Sequence, residues 1–264
     1  MPDVRFKAPP APRPGKPSEP VWLTIAYDAD DLIRQGDNEC GPAALYNAVA
    51  AGPPDLRAAL KSLNGASPQE KYAHFLSIYA HKPSETFSFE RRRTEDNGTY
   101  FGDMRFMLAD ILDAAERPMS RPKARYRGSF VRRGAIEEPG RFPARLHGQI
   151  LRSIRAGVPP VLLFGGYKGN ERAFGHFVTV MGVTETVDDD LFGLRIVDPG
   201  DRRETYFWAR EGPRHTADDD AASWRLVLTY WRPSPGEEVP FQRFLLETVL
   251  GDFDIVQLDS ELKL

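Results

Sequence analysis

Cys40 is the only cysteine among 264 residues. A lone cysteine is either a small buried apolar side chain or a reactive thiol, and its neighbours decide which. From Gly41 the chain reads GPAALYNAVAAG. Good helix formers, a proline in the first turn and a glycine near the end predict a helix there. Cys40 therefore stands at a helix N-terminus, where unpaired N–H groups and the positive dipole end favour thiolate over thiol. Gln35 lies five positions upstream, in the polar stretch QGDNEC. Its amide can donate to a developing oxyanion, and the Cys40 backbone N–H can supply a second donor.

A thiol nucleophile needs a base, and the base needs an orienting acceptor. Of the five histidines, His176 has the most informative surroundings, FGHFVTVMGV, at the start of a predicted strand. It reads as a candidate base or as a histidine satisfied within the core. His74, His81, His147 and His215 carry the structural reading. Asp198 ends the next predicted strand in RIVDPG. Adjacent antiparallel strands can set it beside His176 as the acceptor of the imidazole N–H. Its other reading is a turn-forming Asp before proline.

The elements that must hold these residues change character along the chain. The segment VWLTIAY (21–27) predicts a strand. DLRAALKSL (55–63), PQEKYAHFLSIYA (68–80), FGDMRFMLADILDAAE (101–116) and RLHGQILRSIRAG (145–157) carry helical spacing. Residues 82–98 are polar and read as loop. After Gly157, short β-branched and aromatic runs bounded by Gly, Pro and Asp predict strands at 159–167, 175–186, 191–200, 203–209 and 224–231. FQRFLLETVL (241–250) reads as a helix, with a short strand at DIVQL after it. A helical front half (about 21–157), a sheet half (about 158–235) and a C-terminal helical extension (about 236–264) make an α+β chain.

Residues 1–20 contain seven prolines and few large apolar residues, the composition of an extended tail. That tail has no apolar h-region, and no stretch in the chain is long and apolar enough to span a bilayer. These features predict a cytoplasmic protein, or one exported without a Sec signal, and no membrane insertion. The net charge of -3 calls for no nucleic acid. Arg91-Arg92-Arg93 and Asp218-Asp219-Asp220 read as solvated loops, and His215 beside the acidic run does not change that. There is no P-loop, Gly-x-Gly-x-x-Gly, Gly-x-Ser-x-Gly or HExxH, and one cysteine cannot build a thiolate zinc site. No metal and no cofactor are expected.

QGDNECGPAALYNAV resembles the nucleophile segment of papain-like cysteine peptidases of the C39 type, the bacteriocin-processing or double-glycine group. GTYFGDMRFMLADIL (98–112) resembles the segment in which that group carries Gly-Thr before an amphipathic helix. GVPPVLLFGGY, GHFVTVMGV and LRIVDPG resemble the group's second half, in the same order. The resemblance covers roughly residues 21–210. It implies one papain-like domain over 21–264, with the helical half packed on an antiparallel sheet from the C-terminal half. It implies Cys40 as nucleophile, His176 as base, Asp198 as orienting acid and Gln35 as oxyanion donor.

The Gln-to-Cys separation is five here, one fewer than the group's usual six, so Asn38 stands as an alternative oxyanion donor. The membrane-spanning and ATP-binding portions of transporter-linked members have no counterpart in this chain. The implied activity is hydrolysis of a peptide bond in a protein or peptide substrate through a thioester. Transglutaminase, deamidase or amidase chemistry on the same triad, and a non-catalytic binding module that keeps the fold, are the alternatives. A bacterial processing enzyme and an effector or toxin both fit the composition. Substrate and oligomeric state do not follow from the sequence.

Overall fold

The stretch CGPAALYNAVA has no charged residue, and a helix apolar on every side has to be buried. In the computed structural model it forms a helix with all eleven residues buried, and the rest of the fold is arranged around it. The structure describes residues 20–87, 90–96, 98–114, 126–130, 141–168, 171–187, 191–202, 204–211, 226–230 and 243–252.

In chain order the elements begin with strand β1 (Trp22–Thr24) and helices α1 (Cys40–Ala50), α2 (Pro54–Ala58) and α3 (Pro68–Phe75). The short strands β2 (Arg93–Thr94) and β3 (Gly98–Thr99) pair with each other and lead into α4 (Phe101–Ala114). Then come β4 (Tyr126–Phe130), α5 (Arg141–Arg155), β5 (Val161–Lys168), β6 (Glu171–Thr184), β7 (Leu191–Val197), β8 (Glu204–Glu211), β9 (Leu226–Tyr230) and β10 (Arg243–Asp252). Local chemistry explains the helix starts. α3 has a full capping box, in which Ser67 accepts from Glu70 N and the Glu70 carboxylate accepts from Ser67 N. Both α2 and α3 have proline at the first turn, where its missing N–H costs nothing.

One antiparallel sheet of eight strands dominates the second half, in the order β1-β6-β5-β10-β9-β8-β7. The long strand β6 also pairs with β7, so the path from β6 through β5, β10, β9, β8 and β7 returns to β6. β4 adds to β10, and β1 extends β6 beyond the reach of β5. Successive residues of β6 look in opposite directions. Phe177 packs in the core of α1, α3 and α4, whereas Val178 and Val180 pack in the second core with Leu146, Ile150 and Ile154 of α5. Helix face and barrel interior therefore share one strand, and the fold is α+β with an antiparallel, barrel-like sheet.

Three expectations change. Residues 243–252 form strand β10, not a helix, so the C-terminal helical extension is not present there. Leu and Glu give FLLETVL helix propensity, but the segment lies between β5 and β9 and completes the sheet path, and strand pairing overrides propensity. The two halves also interleave. β1 and β4 come from the helical half of the sequence yet belong to the sheet. Among the described residues of 82–98, Arg93–Thr94 form β2 and Gly98 begins β3, where the sequence predicts loop. The proline-rich residues 1–19, the DIVQL segment and His215 with Asp218–Asp220 lie outside the described residues.

Candidate active site

Four side chains named from the sequence have to be placed by four different elements. α1 begins at Cys40 itself. Thr179 of β6 donates its hydroxyl to Ala44 O across 2.9 Å, which fixes α1 against the strand that carries His176. A Cβ on Gly41 would meet Met104 Sδ and Thr99 Cβ at 3.1 Å and Phe177 Cδ2 at 3.3 Å, so α4, β3 and β6 close on the first turn of α1. A side chain directly after the thiol would require these neighbours to yield by a few tenths of an ångström.

His176 and Asp198 meet across neighbouring strands. His176 Nε2 lies 2.9 Å from Asp198 Oδ1. Asp198 follows β7, and its Oδ1 also accepts from Gly200 N at 2.7 Å. The Arg202 N–H closes the turn onto Asp198 O at 2.8 Å. The aspartate is thus held by its own loop before it meets the imidazole. Burial penalises its charge, but the His176 charge and hydrogen bond and the Gly200 N–H outweigh that and lower its pKa.

The opposite edge of the imidazole faces Cys40. Burial pushes the thiol pKa up, yet the hydrogen bond and charge of His176, with the Phe177 backbone N–H, overcome it and the thiol falls below its ordinary value. Burial likewise disfavours charge on His176, but Asp198 and then Cys40 raise its pKa. Both shifts favour thiolate and imidazolium over the neutral pair. With Nε2 committed to Asp198, Nδ1 is the nitrogen left to exchange a proton with sulfur.

The loop before Cys40 is braced from several sides. Gln35 N donates to Pro199 O at 2.8 Å, which ties this loop directly to the Asp198 turn. Arg34 Nε reaches Gly200 O at 2.8 Å. Two turns into α1, the fully buried Asn47 accepts from Ile33 N at 2.8 Å and donates to Ile33 O at 3.2 Å, pairing with that backbone as a strand would. Asn38 takes a positive φ of 53° and donates its side-chain amide to Glu95 O. Glu39 accepts from Gly36 N at 2.9 Å and pairs with Arg93 at 3.3 Å, while Arg93 also donates to Asp37 O at 2.8 Å.

All the sequence-named residues are brought to one region: Cys40, His176 and Asp198 in a contiguous chain of contacts, and Gln35 and Asn38 on the loop beside them. Their neighbours Glu39, Asn47, Tyr72 and Thr179 were not singled out from sequence. Arg92 and Arg93, which the sequence reads as part of a solvated loop, are instead held in ion pairs: Arg92 is buried against Glu85 and Asp110, and Arg93 is largely covered and pairs with Glu39. Asn47 gave the one available signal, an amide inside an otherwise apolar helix. The other residues in this network carry no local mark.

A cavity of about 410 Å³ opens next to this loop, between it and α3. Arg34, Gln35, Gly36, Glu39, Tyr72 and Leu76 are among its walls. His147, by contrast, is buried in α5 with Nε2 2.6 Å from Thr184 O, as the structural reading expects. Among the described residues no cluster of three or more His, Cys, Asp or Glu side chains could hold a metal ion, and no helix is long and apolar enough to cross a membrane.

No protein-family model matches the chain, and no curated protein matches it in sequence.

Proposed function

We propose that the protein is a thiol-dependent peptidase of papain-like type, similar to the C39 group, in which Cys40, His176 and Asp198 hydrolyse a peptide bond through a thioester. The observation that carries this reading is the relay Asp198–His176–Cys40: a histidine held by a carboxylate at 2.9 Å and interacting with a thiol whose pKa it lowers. The barrel-like sheet, the thiol at the start of a buried helix and the histidine on the facing strand support the papain-like assignment. The motif order in the sequence supports the narrower C39 likeness.

The chemistry follows from the positions. The Cys40 proton passes to His176 Nδ1, and the thiolate sulfur attacks the substrate carbonyl carbon. Asp198 holds the other ring nitrogen, so the imidazolium keeps its orientation. The carbonyl π electrons move to oxygen. The Cys40 backbone N–H, at the first residue of α1 and so without an intrahelical acceptor, and the Gln35 side-chain amide receive that oxyanion. His176 returns its proton to the leaving amine as the C–N bond breaks. Water, deprotonated by His176, then cleaves the thioester and frees the second product.

Gln35 is preferred over Asn38 as side-chain donor because the Asn38 amide is already donating to Glu95 O. The test is incubation of wild type and Cys40→Ala protein with a peptide library, followed by mass spectrometry. New termini that carry one added water and disappear in Cys40→Ala support the proposal. Chains joined with loss of ammonia, or side-chain amides that have exchanged ammonia for water, replace hydrolysis with transfer or deamidation on the same thiol. Cleavage that persists in Cys40→Ala removes the proposal.

A further inference from the structure

Residues 36–39 join the two oxyanion donors, Gln35 on one side and the Cys40 N–H on the other, and they form no helix or strand of their own. Side-chain bonds give the segment its shape instead. Glu39 Oε2 reaches back to accept from Gly36 N at 2.9 Å. A Cβ on Gly36 would stand 2.9 Å from that same oxygen, so a side chain there would push the carboxylate off its bond. Glu39 is the N-cap residue of α1, yet its side chain makes no capping bond to the helix. A carboxylate at this position is ordinarily drawn to the free N–H groups of the first turn. Here Arg93 draws it the other way: Arg93 Nη2 lies 3.3 Å from Glu39 Oε1 and donates to Asp37 O at 2.8 Å. The Cys40 N–H, which has no intrahelical acceptor, is thereby left open to the substrate.

Arg93 opens the β2–β3 hairpin, and the hairpin meets this segment at two further points. Glu95 O accepts the Asn38 side-chain amide, and Thr99 of β3 lies against Gly41, where a Cβ would come within 3.1 Å of Thr99 Cβ. One hairpin therefore holds the chain on both sides of Cys40. The ion pair is also sheltered, with 12% of the Arg93 side chain and 15% of the Glu39 side chain exposed. Charges so covered are weakly screened by solvent. A Glu39 carboxylate without Arg93 would set an uncompensated negative charge one residue from Cys40, beside the place where the substrate oxygen becomes negative.

We propose that Arg93 is a positioning residue of the oxyanion hole: it holds Glu39 turned back from α1, fixes the segment between the two donors, and cancels the carboxylate charge where the oxyanion forms. Arg93 acts through Glu39 and Asp37 and does not itself touch the reacting atoms. The assignment rests on the reading of Cys40 as nucleophile with Gln35 and the Cys40 N–H as donors. It is separate from the relay. The Cys40 thiol is pushed up by burial and brought down by His176 and the Phe177 N–H, so thiolate formation does not depend on Arg93. Loss of Arg93 should therefore slow attack on a carbonyl while leaving the thiol reactive.

The test uses the full-length protein and a peptide that the wild type cleaves, with the melting temperature of each variant recorded. Arg93→Gln should lower kcat by ~10- to 10²-fold, the scale of a small misplacement of catalytic groups, with KM within a few-fold. Iodoacetamide alkylation of Cys40 develops no oxyanion, and its rate should stay within a few-fold of wild type. Arg93→Lys keeps the charge but loses the planar fork, and its kcat should fall between the two. The double variant Arg93→Gln/Glu39→Gln removes both charges, while the new amide oxygen can still accept from Gly36 N, so it should recover most of the lost kcat. Wild-type kcat in Arg93→Gln (or in Arg93→Lys, should Arg93→Gln not fold) overturns the assignment. So does a kcat loss matched by an equal loss of alkylation, or a double variant as slow as Arg93→Gln. Absence of wild-type cleavage removes the peptidase reading itself, whereas an active wild type matched by Arg93→Gln removes only this role.

Discussion

His176 Nε2 sits 2.9 Å from Asp198 Oδ1, and this contact decides which ring nitrogen is left for Cys40. A carboxylate on Nε2 keeps the proton there in the neutral ring, so Nδ1 faces sulfur with its lone pair. Asp198 thus selects a tautomer as well as raising the basicity of the ring.

Asp198→Asn should separate those two effects. The amide oxygen can still accept from Nε2, but the negative charge is lost. Because Asp198 helps raise the His176 pKa, the alkaline limb of kcat/KM should move to lower pH while part of the activity remains. Asp198→Ala should lose more, since orientation goes as well. A pH–rate profile of the three proteins on one peptide substrate checks the order. An alkaline limb unchanged in Asp198→Asn would contradict the assigned role.

Gln35 and Asn38 make opposite predictions. Gln35→Ala should lower kcat by ~10²–10³, the usual effect of losing one oxyanion donor, without slowing alkylation of Cys40. Asn38→Gly keeps a residue that accepts the positive φ of 53° and removes only the side chain, so its effect on kcat should be within a few-fold. Single-turnover rates for both variants decide between the donors.

Asn47 is a stability determinant whose effect reaches the site. Replacing it with Ala leaves the buried Ile33 N–H and C=O unpaired, which costs about 1–3 kcal/mol for a lost partner of this kind. The denaturation midpoint should fall accordingly. The Gln35 loop, anchored two residues away at Ile33, should become more open to amide exchange while β7 and β8 stay protected. Urea titration and hydrogen–deuterium exchange measure the two effects.

Much of this arrangement could be read along the chain, and its limits have physical causes. The α1 start at Cys40, the strands around His176 and Asp198, and their adjacency are local signals: helix punctuation, β-branched runs and a DPG turn. β10 escaped detection because FLLETVL takes its strand form only from β5 and β9, which lie far from it in sequence. The Gln35 brace was hidden for the same reason. Its partners Pro199 and Gly200 come from the turn after β7, and Arg93 from a hairpin that looks like polar loop. Spacing could place Gln35 and Asn38 on one loop, but only the Asn38 bond to Glu95 separates their roles.

The pH dependence of Cys40 alkylation tests the relay most directly, and the single cysteine makes a mass increase specific to that residue. The Cys40 pKa is lowered and the His176 pKa is raised, so thiolate and imidazolium coexist between the two. The iodoacetamide rate should therefore reach a plateau well below the ordinary thiol pKa of ~8.5 and change again only in the alkaline range where His176 loses its proton. In His176→Ala the plateau should vanish, leaving a single rise at or above ~8.5. A wild-type profile that follows that same single rise would contradict an activated Cys40–His176 pair.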